Sequence, residues 1–170
     1  EAFNIPIVKK DGFEADDILG TIAEKSRNGK WKDYNLETVI VTGDRDLLQL
    51  VGDNVRVTLP EGGFNRLKTF DTEAVCEKYD YGPDQVVDYK AMVGDASDNI
   101  PGVKGVGKVT ATKLLKKYKN LDSIYENIED IKDRYVKLLE NDKESAYMSK
   151  DLATIKRDVD IKLDLEQCLY

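Results

Sequence analysis

Apolar residues follow two rhythms along this chain. Up to about residue 70, short β-branched runs alternate with one amphipathic stretch; beyond it, helical spacing prevails. Ile5 to Val8 reads as a short strand. Glu14 to about Lys25 reads as a helix, with acids in the first turn, apolar Ile18, Leu19 and Ile22, and a break at Asn28-Gly29. Thr38 to Thr42 (TVIVT) predicts a buried strand stopped by Gly43, Asp46 to Val51 a short helix, and Val55 to Leu59 a second strand. Glu61-Gly62-Gly63 turns the chain into an extended segment around Asn65 to Phe70. Strand–helix–strand alternation over this stretch predicts an α/β layer with a parallel component.

After Asp71 the pattern changes. Asp71 or Thr72 caps a helix through Tyr79, Tyr81-Gly82-Pro83 turns, and Pro83 starts a helix to about Val93. A glycine-rich loop leads into a helix from Gly107 to Tyr118. Further helices are expected at Leu121–Glu126, Ile131–Glu140 and Asp142–Leu152. No repeat or low-complexity linker separates the halves, which divide as 1–80 and 81–170, the last residues returning towards the first half.

Length and composition narrow the class. A chain of 170 residues with 41% hydrophobic and 35% charged residues can bury a core, and no apolar run approaches the roughly 20 residues of a membrane helix. No membrane partner is expected. The start, EAFNIPIVKK, has neither a signal-peptide pattern nor an initiator methionine, so a fragment of a longer chain is expected. Cys76 and Cys168 have no metal or redox spacing and are expected as free, buried or half-buried thiols in a reducing cytoplasm. The absence of histidine removes Ser-His triads, imidazole acid–base chemistry and the usual zinc sites. Hydrolysis would need carboxylates, lysines or water activated by a metal.

Net charge is −7, which on average disfavours a polyanionic partner, but the charge is sorted along the chain. Asp11 to Asp17 holds four acids and no base, whereas Pro101 to Asn120 holds six lysines and no acid. Three acidic groups stand out. Glu14, Asp16 and Asp17 open a helix; Asp44 and Asp46 follow the strand TVIVT, where α/β sheets place their sites; Asp95 and Asp98 follow the helix ending near Val93. Each alone is compatible with capping or turn formation. Gathered together they repel, by roughly 4 kcal/mol for a pair ~4 Å apart at an effective dielectric near 20. Protons or cations must then compensate, and an all-oxygen set suits Mg2+ or Mn2+. Two such ions ~3.5–4 Å apart would clamp the attacking and leaving oxygens of a phosphodiester.

Gly102-Val-Lys-Gly-Val-Gly107-Lys108 matches seven of the eight places of the ATP-loop pattern, but Val109 replaces the hydroxyl residue and SDNIP is a poor preceding strand. No nucleotide cofactor is expected. One alternative is a plain inter-helix loop with solvated lysines. The other is a hairpin whose glycines Gly102, Gly105 and Gly107 bring backbone N–H groups to phosphates, with Lys104 and Lys108 as counter-charge and Lys113, Lys116, Lys117 and Lys119 on the helix after it.

FEADDILG (Phe13–Gly20), VTGDRDLLQLV (Val41–Val51) and MVGDASDNIPGVKGVGKVTATKLL (Met92–Leu115) resemble, in order, the motifs of the bacterial 5′-nuclease family. That family includes the 5′–3′ exonuclease domain of DNA polymerase I and the related flap endonucleases. The resemblance spans about Phe13 to Leu152. It implies an α/β PIN-like (5′-nuclease) core, incomplete at its N-terminus, then a mostly helical helix–three-turn–helix DNA-binding subdomain. It also implies cleavage of duplex DNA carrying a 5′ flap or nick, and of RNA primers, in replication and repair. Glu14, Asp16 and Asp17 would serve one metal, and Asp44, Asp46, Asp95 and Asp98 the second. Gly102, Lys104, Gly105, Gly107, Lys108 and Lys113 would hold duplex phosphates, and a K+ ion can sit in the Gly102–Lys108 hairpin. Members begin with an aspartate-bearing strand, central in the sheet, and a basic arch, both upstream of EAFNIPIV. A polymerase domain fused downstream and a cytoplasmic, nucleoid-associated setting are expected, with a free-standing nuclease as a variant. The rival is a non-catalytic duplex-DNA-binding module whose acids are structural.

Overall fold

The computed structural model describes residues 5–28, 31, 36–62 and 66–168. Ten elements carry the architecture: α1 (Ala15–Arg27), β1 (Thr38–Val41), β2 (Val55–Pro60), β3 (Leu67–Phe70), α2 (Thr72–Tyr79), α3 (Val86–Val93), α4 (Lys108–Tyr118), α5 (Leu121–Glu126), α6 (Asp133–Asn141) and α7 (Lys143–Ala153). The sheet order is β1-β2-β3, with β1 and β2 parallel and β3 antiparallel to β2. Parallel neighbours need a crossover of about a dozen residues. Here a 3-10 turn at Asp46–Leu50 supplies it and buries Leu47, Leu48 and Leu50 under the sheet.

The register places Ile40 beside Val57 and Val57 beside Phe70, so one row of buried apolar side chains crosses all three strands. Alternation then turns Val39 and Val41 the other way, and both are exposed. The buried row, the 3-10 leucines, Val75 of α2 and Ile155 form the first core. A second core lies among α3 to α7, around Met92, Leu115, Leu121, Ile124 and Leu139. Residues 153–161 run back to the first half. Gln49 Nε2 donates to the Ala153 carbonyl (3.0 Å), its Oε1 accepts from Ile155 N–H (3.0 Å), and Thr21 Oγ1 accepts from Val159 N–H (3.1 Å).

Four expectations change. Ile5–Val8 forms no strand: Ile5 and Ile7 are exposed, and among the described residues no strand lies beside the segment to pair with its backbone. Pro83 opens a 3-10 turn, Pro83–Gln85, and the α-helix begins only at Val86. The short helix after Asp46 is likewise 3-10 in form. Cys76 is exposed, because α2 turns Val75 to the core instead; Cys168 is half-buried. Of the expected breaks, Gly29, Gly63 and Asn65 lie outside the described residues.

Candidate functional site

Three local structures aim the carboxylates. At the carboxyl end of β1 the chain turns through Thr42 and Gly43. The Asp44 N–H donates to Thr42 Oγ1 (3.0 Å) and the Asp46 N–H to Asp44 Oδ1 (2.8 Å), which holds both acids before the 3-10 turn. At the start of α1, Glu14 is the N-cap residue, with Asp16 and Asp17 in the first turn. After α3, the loop carrying Asp95 and Asp98 is closed by reciprocal backbone bonds of 2.8 Å between Asp95 and Ile100.

These pieces meet. Glu14, Asp16, Asp17, Asp44, Asp46 and Asp98 line one cleft of about 340 Å³, whose far wall is Ile100 and the end of α7 with residues 152–155. Asp95 stands outside it, on the adjoining surface with Asp44 and Asp46. Asp17 is already engaged, since its Oδ2 accepts from the Glu14 N–H (3.3 Å) and its Oδ1 from the Lys156 N–H (2.9 Å). It ties the start of α1 to the returning segment.

A lysine that no motif indicated sits among these acids. Lys90 of α3 is 7% exposed, and its Nζ binds Asp46, Asp98 (2.7 Å) and Asp95 (3.1 Å). Burial alone would lower its pKa, but the hydrogen bonds to the three carboxylates outweigh that and raise it. Asp95 is held at about 2, chiefly by the Ser97 hydroxyl and also by Lys90. Asp46 is still pushed up, because its burial outweighs the Lys90 contact. Asp16 is pushed up by burial and then by Asp44, Asp46, Glu14 and Asp17. Glu14, Asp16 and Asp44 form no ion pair among the described residues. No three acids among the described residues converge into a closed ligand set. The donors nonetheless suit a hard divalent ion: they are all oxygen and line an open cleft, where Glu14, Asp16 and Asp44 have no ion-paired cation among the described residues.

The glycine-rich hairpin is built differently from its expectation at one point. Gly94 and Gly102 both have positive φ (76° and 65°) and meet backbone to backbone, so a Cβ on Gly102 would lie 2.4 Å from the Gly94 nitrogen. Gly102 is buried; its N–H donates to Ser149 Oγ (3.0 Å) and its carbonyl accepts from Ser145 Oγ (2.7 Å). It therefore closes the loop and has no amide left for a phosphate. The Lys104 N–H is also taken, by Asp142 Oδ2 (2.7 Å). The amides of Gly105, Gly107, Lys108 and Val109 have no partner among the described residues. The side chains of Lys104, Lys108 and Lys113 are exposed around them, whereas Lys116 pairs with Asp80 of the α2 end and Lys117 rests on Tyr118.

A mixed α/β layer with an acidic cleft at its strand ends, joined to helices through a glycine–lysine hairpin, defines the class as a PIN-like core with a helical partner. The chain belongs to the 5′-3′ exonuclease family: the model for its N-terminal resolvase-like domain matches residues 1–80 and that for its C-terminal SAM fold matches residues 81–170. DNA polymerase I of Chloroflexus aurantiacus is 45% identical over 169 residues, covering 98% of this chain and 17% of that protein. DNA polymerase I of Caldicellulosiruptor bescii is 46% identical over 167 residues, covering 97% of this chain and 19% of that protein. The chain thus spans less than a fifth of the length of these relatives. In fold it is similar to the T5 5′-exonuclease solved with divalent metal ions (zinc), with a TM-score of 0.68 at 24% identity over 84% of this chain and 50% of that one.

Proposed function

We propose that this chain works in a metal-dependent 5′–3′ exonuclease and flap endonuclease module, hydrolysing phosphodiesters at 5′ flaps, nicks and RNA primers. One observation carries the reading: acids from three separate segments share a single cleft, while the same segment that bears Asp95 and Asp98 continues into a lysine-bearing hairpin. Fusion to a polymerase, a cytoplasmic, nucleoid-associated setting and a role in replication and repair go with it. So does the division into a core, 1–80, and a helical DNA-binding subdomain, 81–170.

Glu14, Asp16 and Asp44 would hold one Mg2+ or Mn2+, and Asp46, Asp95 and Asp98 would share a second with Lys90; Asp17 would act through the backbone it anchors. Bound there, such ions would polarise the scissile phosphate and lower the pKa of the attacking water. Lys90 gathers three carboxylates around one ammonium. The amides of Gly105 and Gly107, the first turn of α4, and Lys104, Lys108 and Lys113 would hold duplex phosphates without reading bases. A K+ ion in the hairpin belongs to the same reading; the Gly102 and Val103 carbonyls each already accept one bond, leaving it their second lone pairs.

The test is cleavage of a labelled 5′-flap duplex by the polypeptide extended to the length of its relatives. Product is expected with Mg2+ or Mn2+ and none in chelator. Tight binding with no product in either metal would instead mark a non-catalytic DNA-binding module. For the hairpin, Lys104→Ala with Lys108→Ala is expected to weaken duplex binding equally across sequences. It should also reduce the slope of log K against log salt by about 2, near 0.9 for each phosphate that a lysine no longer neutralises. An unchanged slope would leave those lysines as solvated surface.

A further inference from the structure

Between the carboxylate cleft and α4 lies a hollow of about 510 Å³ that neither the acids nor the hairpin accounts for. Its wall is aromatic. Phe70, Tyr79, Tyr81 and Tyr89 form a chain of rings with centroids 6.2, 5.8 and 4.5 Å apart, and the last pair is stacked at 28°. Tyr79, Tyr81 and Tyr89 all line the space, with Arg45, Lys78 and Lys108.

Rings between two cores are ordinarily closed over, with each hydroxyl bonded. Here the three tyrosines flank both cores yet stay half-buried around an open volume, and none of their hydroxyls has a hydrogen-bond partner among the described residues. We infer that this hollow is a stacking subsite for one unpaired nucleotide of the bound strand, its base against Tyr81 and Tyr89 and its phosphate towards Arg45 and Lys108. The inference rests on the nuclease reading above.

Three features single out that occupant. The volume lies within the range of small-ligand pockets, roughly 300–1,000 Å³. The charge is complementary: Arg45 and Lys108 present cations, Lys78 being paired with Glu61, while Asp46 and Asp95 in the same lining are paired with Lys90. The position is intermediate, since Asp46 belongs to both this lining and the carboxylate cleft, while Lys108 and Thr112 belong to the helix after the hairpin. A strand running from one to the other crosses it. A base inside a duplex has both faces covered by its neighbours, so only an unpaired one can lie on a tyrosine. Such stacking tolerates any sequence.

The test uses the polypeptide extended to the length of its relatives and 5′-flap duplexes in which one nucleotide at a time, across the junction, is abasic or 2-aminopurine. Binding is measured in Ca2+ so that the strand stays intact. At one position near the junction, base removal is expected to weaken binding about 10-fold, within the range for one stacked base, and 2-aminopurine fluorescence to be quenched. Tyr89→Leu should bring the intact DNA down to the abasic level without weakening the abasic DNA further, and Tyr89→Phe should behave as the unaltered protein. The abasic scan on the unaltered protein needs no variant to fold. Tight binding with equal affinity at every abasic position overturns the subsite alone. Failure of the unaltered protein to bind any of these DNAs overturns the nuclease reading and the subsite with it.

Discussion

Asp44→Asn with Asp46→Asn is expected to abolish flap cleavage, by more than ~10³-fold, given that removing even one preorganised electrostatic group from an active site costs about 10²–10³. Duplex binding should survive, because the hairpin and its lysines are untouched. The substitutions suit the local geometry. An asparagine at position 44 keeps the Oδ1 that accepts the Asp46 N–H, so the turn after β1 can persist. Electrostatics in the metal-free cleft should improve. Asp16 and Asp46 are pushed up mainly by burial, and Asp44 adds to both, so removing two charges relieves repulsion. Against that, the Lys90–Asp46 ion pair is lost, so the metal-free Tm is expected to change little, while stabilisation by millimolar Mg2+ falls. Cleavage rates with a labelled flap, duplex affinity and melting curves with and without Mg2+ check this together. Normal cleavage in the double variant would sink the metal assignment. Loss of binding together with a lower Tm would make the two acids structural.

Much of this site is legible in the chain because its acids sit where local structure is self-declaring. TVIVT can hardly be other than a strand, so Asp44 and Asp46 fall at a strand end; acids ahead of Ile18 and Ile22 mark a helix start. What remains hidden depends on partners far away in sequence. Lys90 is one lysine in VVDYKAMV, and nothing in that run says that three aspartates from two loops meet its ammonium. Gly102 has the look of a phosphate-facing glycine, but its role is set by Ser145 and Ser149, more than 40 residues on. The segment at Ile5–Val8 has strand-like residues, and composition cannot tell whether a neighbouring strand exists to receive it. The far wall of the cleft, residues 152–155, carries no motif at all; only tertiary packing of α7 against α3 brings it there.

Lys90→Met should lower the metal-free Tm by roughly 2–12 °C, and Mg2+ should recover much of the loss. The methionine matches the buried stem in size, so packing is nearly conserved and charge is what changes. Breaking a fully buried ion pair costs about 3–5 kcal/mol, but these carboxylates keep a solvent face, with side-chain exposures of 23%, 32% and 49% for Asp46, Asp95 and Asp98. A cost of about 1–3 kcal/mol follows, and each kcal/mol moves Tm by roughly 2–4 °C in a domain of this size. The three acids would then repel without their cation. A divalent ion binding only the folded state stabilises it by about 2.7 kcal/mol at a concentration a hundred times its Kd, which offsets most of that loss. The metal-induced rise in Tm should accordingly be larger in the variant than in the unaltered chain, because the ion must supply what the ammonium no longer does. Calorimetry across a Mg2+ series reads both quantities. An equal metal shift in the two proteins would mean that Lys90 and the ion draw on separate carboxylates, and the shared second site would have to be abandoned.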